Sequence, residues 1–286
     1  MASPAPPGEI VRIRSQWNRI WERQDLDENM RTAEYSGLMP ILSANLRISD
    51  RILEGGCGLG RLVAALEGRG YAVIGIDDNI SPLRRLRRAR PETSVVQGDI
   101  LALSLARGSL DAYISIGVIE HFIEGPMRAL QEAWRTLRPG GVLVVSVPCM
   151  NRLRAVLRPV REPTRRIRHW FRCRPLLRRA LSKSPLRPEQ LEYFYQYYFT
   201  KEGLGKVLTE ARFNPRCFYA LEHELGLYRD LGALRRFVHV GGTGQRGGAY
   251  PLLNSLGRWL CRYLNRDDPY TTNHMVACVA ERLGDP

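Results

Sequence analysis

The chain has 286 residues, long enough for one α/β domain with additions, and its 44% hydrophobic and 25% charged content is ordinary for a globular protein with a real core. No apolar run approaches the roughly 18 residues of a membrane-spanning helix. The six cysteines stand singly without C-x-x-C spacing, which indicates neither a disulfide framework nor a zinc site. The net charge of +14 is local, because residues 152–187 hold 13 basic residues against one acid, leaving +2 for the rest.

Residues 1–8 are Pro-rich and lack an apolar signal core, so they read as a disordered leader of a cytoplasmic protein. Ile10, Ile13, Trp17, Ile20 and Trp21 then recur on one helical face, and a second helical stretch runs from about Glu28 to Leu46. Residues 9–48 are thus expected to form a helical cap, either packed on the domain or acting as a lid. Next, Ile52 and Leu53 lead to a carboxylate, Glu54. Gly56, Gly58 and Gly60 follow at alternate positions before a helical pattern of Leu62, Val63, Ala65 and Leu66. A strand that turns through glycines into a helix lets a ligand approach the backbone with no Cβ in the way. The spacing is not the dinucleotide fingerprint, whose third glycine would fall at Arg61.

Tyr71 to Asp77 reads as a buried strand ending in an acid 23 residues beyond Glu54, about the separation at which a βαβ unit sets a carboxylate on a ribose. A carboxylate can accept from two vicinal hydroxyls, and the adjacent Asp78 shares the candidacy. The next helix, Ser81 to Arg90, carries arginines on a solvated face. Ser94 to Ile100 is a third strand, with Asp99 at its end. Leu110 to Gly117 is a fourth, followed by Val118-Ile-Glu-His-Phe122. Pro126 fits the first turn of a helix with Leu130, Ala133, Trp134 and Leu137, which Pro139-Gly140-Gly141 breaks as a turn. Val142 to Val147 is almost continuously apolar, as a central parallel strand should be.

Past Pro148 a basic stretch of short amphipathic pieces begins. Thr200 fits the N-cap of a helix with Leu204, Val207, Leu208 and Ala211. Arg216 to Glu222 and His274 to Glu281 read as strands six and seven. A glycine-rich loop at 241–248, lacking the Lys-Ser/Thr of a phosphate loop, lies between them with an amphipathic helix from Leu252 to Leu264. The expected fold is α/β, a doubly wound, seven-stranded, mostly parallel sheet. Its Rossmann-like first half spans 49–150, a basic insert 151–198, and the second half 199–286.

Leu53 to Gly60 resembles motif I of the class I S-adenosylmethionine-dependent methyltransferases. Val73 to Asp77, Val96 to Ile100, Asp111 to Phe122, Ala129 to Pro148 and Phe199 to Phe213 are similar to that family's later segments, in the same order. The resemblance implies S-adenosyl-L-methionine as cofactor. Gly56, Cys57, Gly58 and Gly60 would face its methionine end, with Glu54 near the ammonium. Asp77, with Asp78, would hold the ribose; Asp99 the adenine amino group, with Ile100 against the ring; Ile116 completes the set. Glu54 replaces the commoner Asp, and Asp78-Asn79 stand as an insertion. The chemistry agrees independently, since a sulfonium cation favours acids around the loop.

His121 is the candidate general base for an oxygen or nitrogen acceptor, with packing beneath the cofactor as its other reading. Cys149 follows strand five and is incidental. No metal is expected. Residues 152–187 leave three readings open: contact with an anionic membrane surface or a lipid-linked substrate, a substrate lid, or RNA. The expectation is a methyltransferase for a small-molecule acceptor of lipid or glycan type, cytoplasmic, with a peripheral option at the inner face of the membrane. An RNA methyltransferase is the alternative, and a non-catalytic binding protein on the same fold is the third.

Overall fold

The computed structural model describes residues 17, 20–22, 24–157, 196–231 and 253–285. Its strands are β1 (Ile52–Gly55), β2 (Val73–Asp77), β3 (Val95–Gln97), β4 (Leu110–Ile116), β5 (Leu137–Pro148), β6 (Phe213–Leu221) and β7 (Met275–Arg282). They form one sheet in the order β3-β2-β1-β4-β5-β7-β6. β3 to β5 run parallel through β2, β1 and β4, while β7 is antiparallel to both β5 and β6. This is the expected doubly wound, mostly parallel sheet.

The strands alternate their apolar side chains between two cores, because successive residues point to opposite faces. Ile52, Val73, Ala112, Ile114, Val144, Ala277 and Val279 pack on one face with Leu38, Leu42, Leu62, Leu66, Leu83 and Leu86. The latter belong to α2 (Leu38–Asn45), α3 (Arg61–Glu67) and α4 (Ile80–Ala89), which follow α1 (Leu26–Tyr35) on that side. Leu53, Tyr113, Leu143, Val145, Val147 and Cys278 point the other way. They meet Leu130 and Ala133 of α5 (Met127–Thr136) and Leu204 and Leu208 of α6 (Lys201–Glu210). Two further helices, α7 (His223–Asp230) and α8 (Ser255–Leu264), pack on each other around Leu227, Leu253 and Cys261.

Local sequence sets the helix starts. Asp25, Asn79, Thr200 and Asn254 each cap a helix by accepting a backbone N–H with the side chain. Two expectations need correction. The single helix from Glu28 to Leu46 is broken in two at Gly37, whose φ of 73° is left-handed. Pro139-Gly140-Gly141 does not separate α5 from β5: the strand begins directly at Leu137 and carries these residues past a register shift against β4.

The bulk of the basic insert lies outside the described residues, but both of its stems lie within them. Cys149 forms a parallel bridge with Phe199, Met150 N–H donates to Phe199 O at 2.8 Å, and Phe199 N–H donates to Pro148 O at 2.9 Å. The two described stems thus meet at the C-terminal end of β5. Buried polar groups pin that point. Asp230 accepts from Asn151 Nδ2 at 2.8 Å and from Arg154 Nε at 3.0 Å, and Arg154 Nη1 donates to Cys149 O. His274 lies between Arg154 and Arg229. Burial and these two cations push its pKa down to about 3, so the ring is neutral.

Candidate active site

In an open parallel sheet the ligand crevice lies beyond the carboxyl ends of the strands where the order reverses, here between β1 and β4. Glu54 ends β1 there, fully enclosed. Its Oε2 has no hydrogen-bond partner, and burial pushes its pKa up to about 8 against the opposing pull of Arg61. An enclosed acid with an unmet oxygen is costly to keep unless a cation arrives.

Gly56, Gly58 and Gly60 all have left-handed φ values of 74°, 55° and 67°. A Cβ would stand 2.5 Å from Val118 at Gly56, 2.7 Å from the Trp21 ring at Gly58, and 2.5 Å from Leu86 at Gly60. Only glycine fits, on both conformational and packing grounds. The loop spends several of its donors inside the protein. Gly56 N–H and Cys57 N–H both donate to Ile76 O, and Gly58 N–H donates to Asp77 Oδ2 at 2.8 Å. What remains to a ligand at these residues is a Cβ-free surface rather than those three N–H groups.

Asp77 is half-buried at the end of β2. Oδ1 accepts from Asn79 N–H at 2.9 Å, and burial raises its pKa while the two backbone donors oppose the rise. Asp78 is exposed at the adjacent turn. Asp99 is exposed too, with Oδ1 held by Leu101 N–H at 2.8 Å, while Ile100 is buried in the core shared with Leu53 and Ile76. Asp99 lines an open groove of about 610 Å³ over β1–β3, which also includes Ile74, Val96 and Leu103. Ile116, at the end of β4, packs partly buried on the opposite core. Cys57 departs from a ligand-facing role in its side chain: Sγ points inward, 2.8 Å from where a Cβ on Gly75 would lie, and burial raises its pKa.

Beyond β4 the chain makes a single 3-10 turn, Ile119–His121. His121 Nε2 lies 3.6 Å from Glu120 Oε1. Glu120 is buried with an unpartnered Oε2, and burial pushes its pKa up to about 8. Sequence reasoning passed over Glu120, although an acid directly before the candidate base was visible. Tyr197, at the return of the insert, donates its N–H to Glu120 O at 2.9 Å and its hydroxyl to Ile123 O at 2.7 Å. Trp17 and Trp21 lie over this region. Trp17 meets the His121 ring edge-on at 4.8 Å and stacks on Trp21, which covers Gly58. Arg85 of α4 holds Trp21 by donating to its backbone O at 2.6 Å.

The sheet order and crevice define a class I, Rossmann-like methyltransferase-type domain. A family model described as "Methyltransferase domain" matches residues 53–145. It is 33% identical over 97 residues to a probable S-adenosylmethionine-dependent methyltransferase of Mycolicibacterium smegmatis, covering 34% of this chain and 37% of that one. It is 28% identical over 180 residues to a malonyl-[acyl-carrier protein] O-methyltransferase of Enterobacter lignolyticus, covering 62% and 70%. The chain spans about a third of the length of the first curated relatives it matches. Among solved structures it resembles the Burkholderia thailandensis 1,6-didemethyltoxoflavin-N1-methyltransferase with bound 1,6-didemethyltoxoflavin and S-adenosylhomocysteine. There the TM-score is 0.53 at 17% identity, covering 99% of this chain and 93% of that one.

Proposed function

We propose that the protein transfers a methyl group from S-adenosylmethionine to a small-molecule acceptor of lipid or glycan type. The observation that carries the donor is Glu54, an enclosed carboxyl with an unmet oxygen beside a loop only glycine can form. The residues fit the cofactor: Glu54 for its cationic end, Asp77 for a vicinal diol, and Asp99 with Ile100 for the base. When bound, S-adenosylmethionine supplies a methyl carbon already activated by a positively charged sulfur.

The chain's own part is positioning, exclusion of water and removal of one proton. Trp17 and Trp21 cover the crevice. With Glu120 ionised beside it, His121 is the group that takes a proton from an oxygen or nitrogen acceptor. Glu120 positions the imidazole and stabilises its charged form. The name of the malonyl-[acyl-carrier protein] relative supports a small acceptor.

Incubating the protein with methyl-labelled donor and a fractionated cell extract tests the reading. Label in lipid, glycan or small-metabolite fractions is expected. Label confined to RNA would replace the acceptor class, and no transfer into any fraction would refute the activity.

A further inference from the structure

α8 presents a surface that the reaction does not use. Gly257 and Cys261 face inward, and Leu260 and Leu264 pack against the small cluster shared with α7. One step round the helix, Leu256, Trp259 and Tyr263 are 54%, 54% and 61% exposed. These three are neighbours at three- and four-residue spacing. The Trp259 and Tyr263 rings are stacked, with centroids 5.4 Å apart at 13°. Arg262 and, just past the helix, Arg266 are exposed as well.

The first turn of the insert, residues 152–157, packs against the cluster beneath α8. Leu153 joins the cluster beneath α8 while Val156 is 72% exposed. Exposed Trp, Tyr and Leu beside arginines are the composition of a helix that rests in a lipid headgroup layer.

We infer that α8, through Leu256, Trp259 and Tyr263 with Arg262 and Arg266, seats the protein on an anionic phospholipid surface. Charge selects this occupant. A second copy would bring arginines against arginines, on a chain of net charge +14, whereas acidic headgroups would complement them. Among the described residues no helix is long and apolar enough to cross a membrane. The inference deepens the proposed function by naming the surface from which an acceptor of lipid type would be reached.

The test is flotation of the full chain with phosphatidylcholine vesicles and with vesicles carrying about a third phosphatidylserine. Wild type is compared with Trp259→Ser/Tyr263→Ser and with Arg262→Gln/Arg266→Gln. Binding to the anionic vesicles is expected to exceed binding to the zwitterionic ones at least tenfold and to weaken with salt, and each double variant should lose about tenfold or more. S-adenosylhomocysteine binding by calorimetry should stay unchanged in both variants, which separates this inference from the donor reading and confirms folding. Equal binding of wild type to both vesicles, or undiminished binding by either variant, overturns it. So does loss of a dimer or of RNA binding in the variants with vesicle binding intact.

Discussion

Replacing Glu54 with glutamine should stabilise the ligand-free protein while weakening its hold on the donor. The carboxyl is enclosed, and burial raises its pKa from an ordinary 4.5 to about 8. A group whose folded pKa is raised contributes its stability below the unfolded value and loses it as pH climbs through the folded value. The protein is therefore least stable, on this account, above pH 8, where Glu54 is ionised with its Oε2 unmet. At about 1.4 kcal/mol for each tenfold change, the rise from 4.5 to about 8 sets a ceiling of about 5 kcal/mol above pH 8, about 3 at pH 7, and nothing below pH 4.5. Glutamine cannot ionise, so the variant keeps what wild type loses. Urea unfolding of both proteins at pH 4, 7 and 8.5, read by circular dichroism, measures the difference, and calorimetric titration with S-adenosylhomocysteine measures affinity. The expected pair is a gain in stability that grows with pH and a loss of affinity of tenfold or more at pH 8. A variant less stable than wild type at pH 8.5, or one that binds equally well, would show that Glu54 is not a carboxyl held in reserve for a cation.

The same enclosure predicts proton release on binding. The donor's cationic end favours the ionised carboxyl, so affinity should rise with pH from about 5 to about 8 and then level off, as buffers of different ionisation enthalpy would reveal. Glu120 gives turnover its own pH limb: the rate should climb as this acid ionises near pH 8, and in Glu120→Gln that limb should vanish while donor affinity changes little. Gly58→Ala forces a Cβ to 2.7 Å from the Trp21 ring at a φ of 55°. Thermal melts should show a loss of about 1 to 3 kcal/mol, with a change in tryptophan fluorescence as the ring is displaced. Asp230→Leu removes the acid from the buried Arg154 and should cost about 3 to 5 kcal/mol in denaturant melts. Arg154→Met added to it should restore part of that loss.

The strands were legible wherever burial on both faces forced a continuous apolar run, as in Val142 to Val147, or where a run ended on an acid, as at Glu54 and Asp77. The helix break at Gly37 was not legible, because a lone glycine in a helical pattern is usually tolerated and only the left-handed φ reveals the cut. Pro139-Gly140-Gly141 misled for the converse reason. The motif reads as a stop, yet the sheet carries it as an irregularity against β4. In the crevice, sequence spacing picked out the acids and glycines but not which way they face. Cys57 points into the core, and the loop N–H groups bond to β2, because their orientation depends on packing across α3, β2 and Trp21. Glu120 stands directly before His121 and was open to local reading, whereas the Trp17–His121 contact joins residues about a hundred positions apart that no local pattern could pair. The amphipathic character of α8 was visible, but that Leu256, Trp259 and Tyr263 face outward was not, since periodicity alone assigns such residues to a core.

Asp77 tests the account's central claim most directly, because it joins the glycine loop to the end of β2 and is the residue assigned to the ribose. Calorimetric titration of S-adenosylhomocysteine into wild type and Asp77→Asn at pH 8 is the measurement. Asparagine keeps an oxygen for Gly58 N–H, so the fold is retained while the charge is lost. Saturable one-to-one binding by wild type, weakened at least tenfold in the variant, is predicted. No binding by folded wild type, or equal affinity in the two proteins, would contradict it.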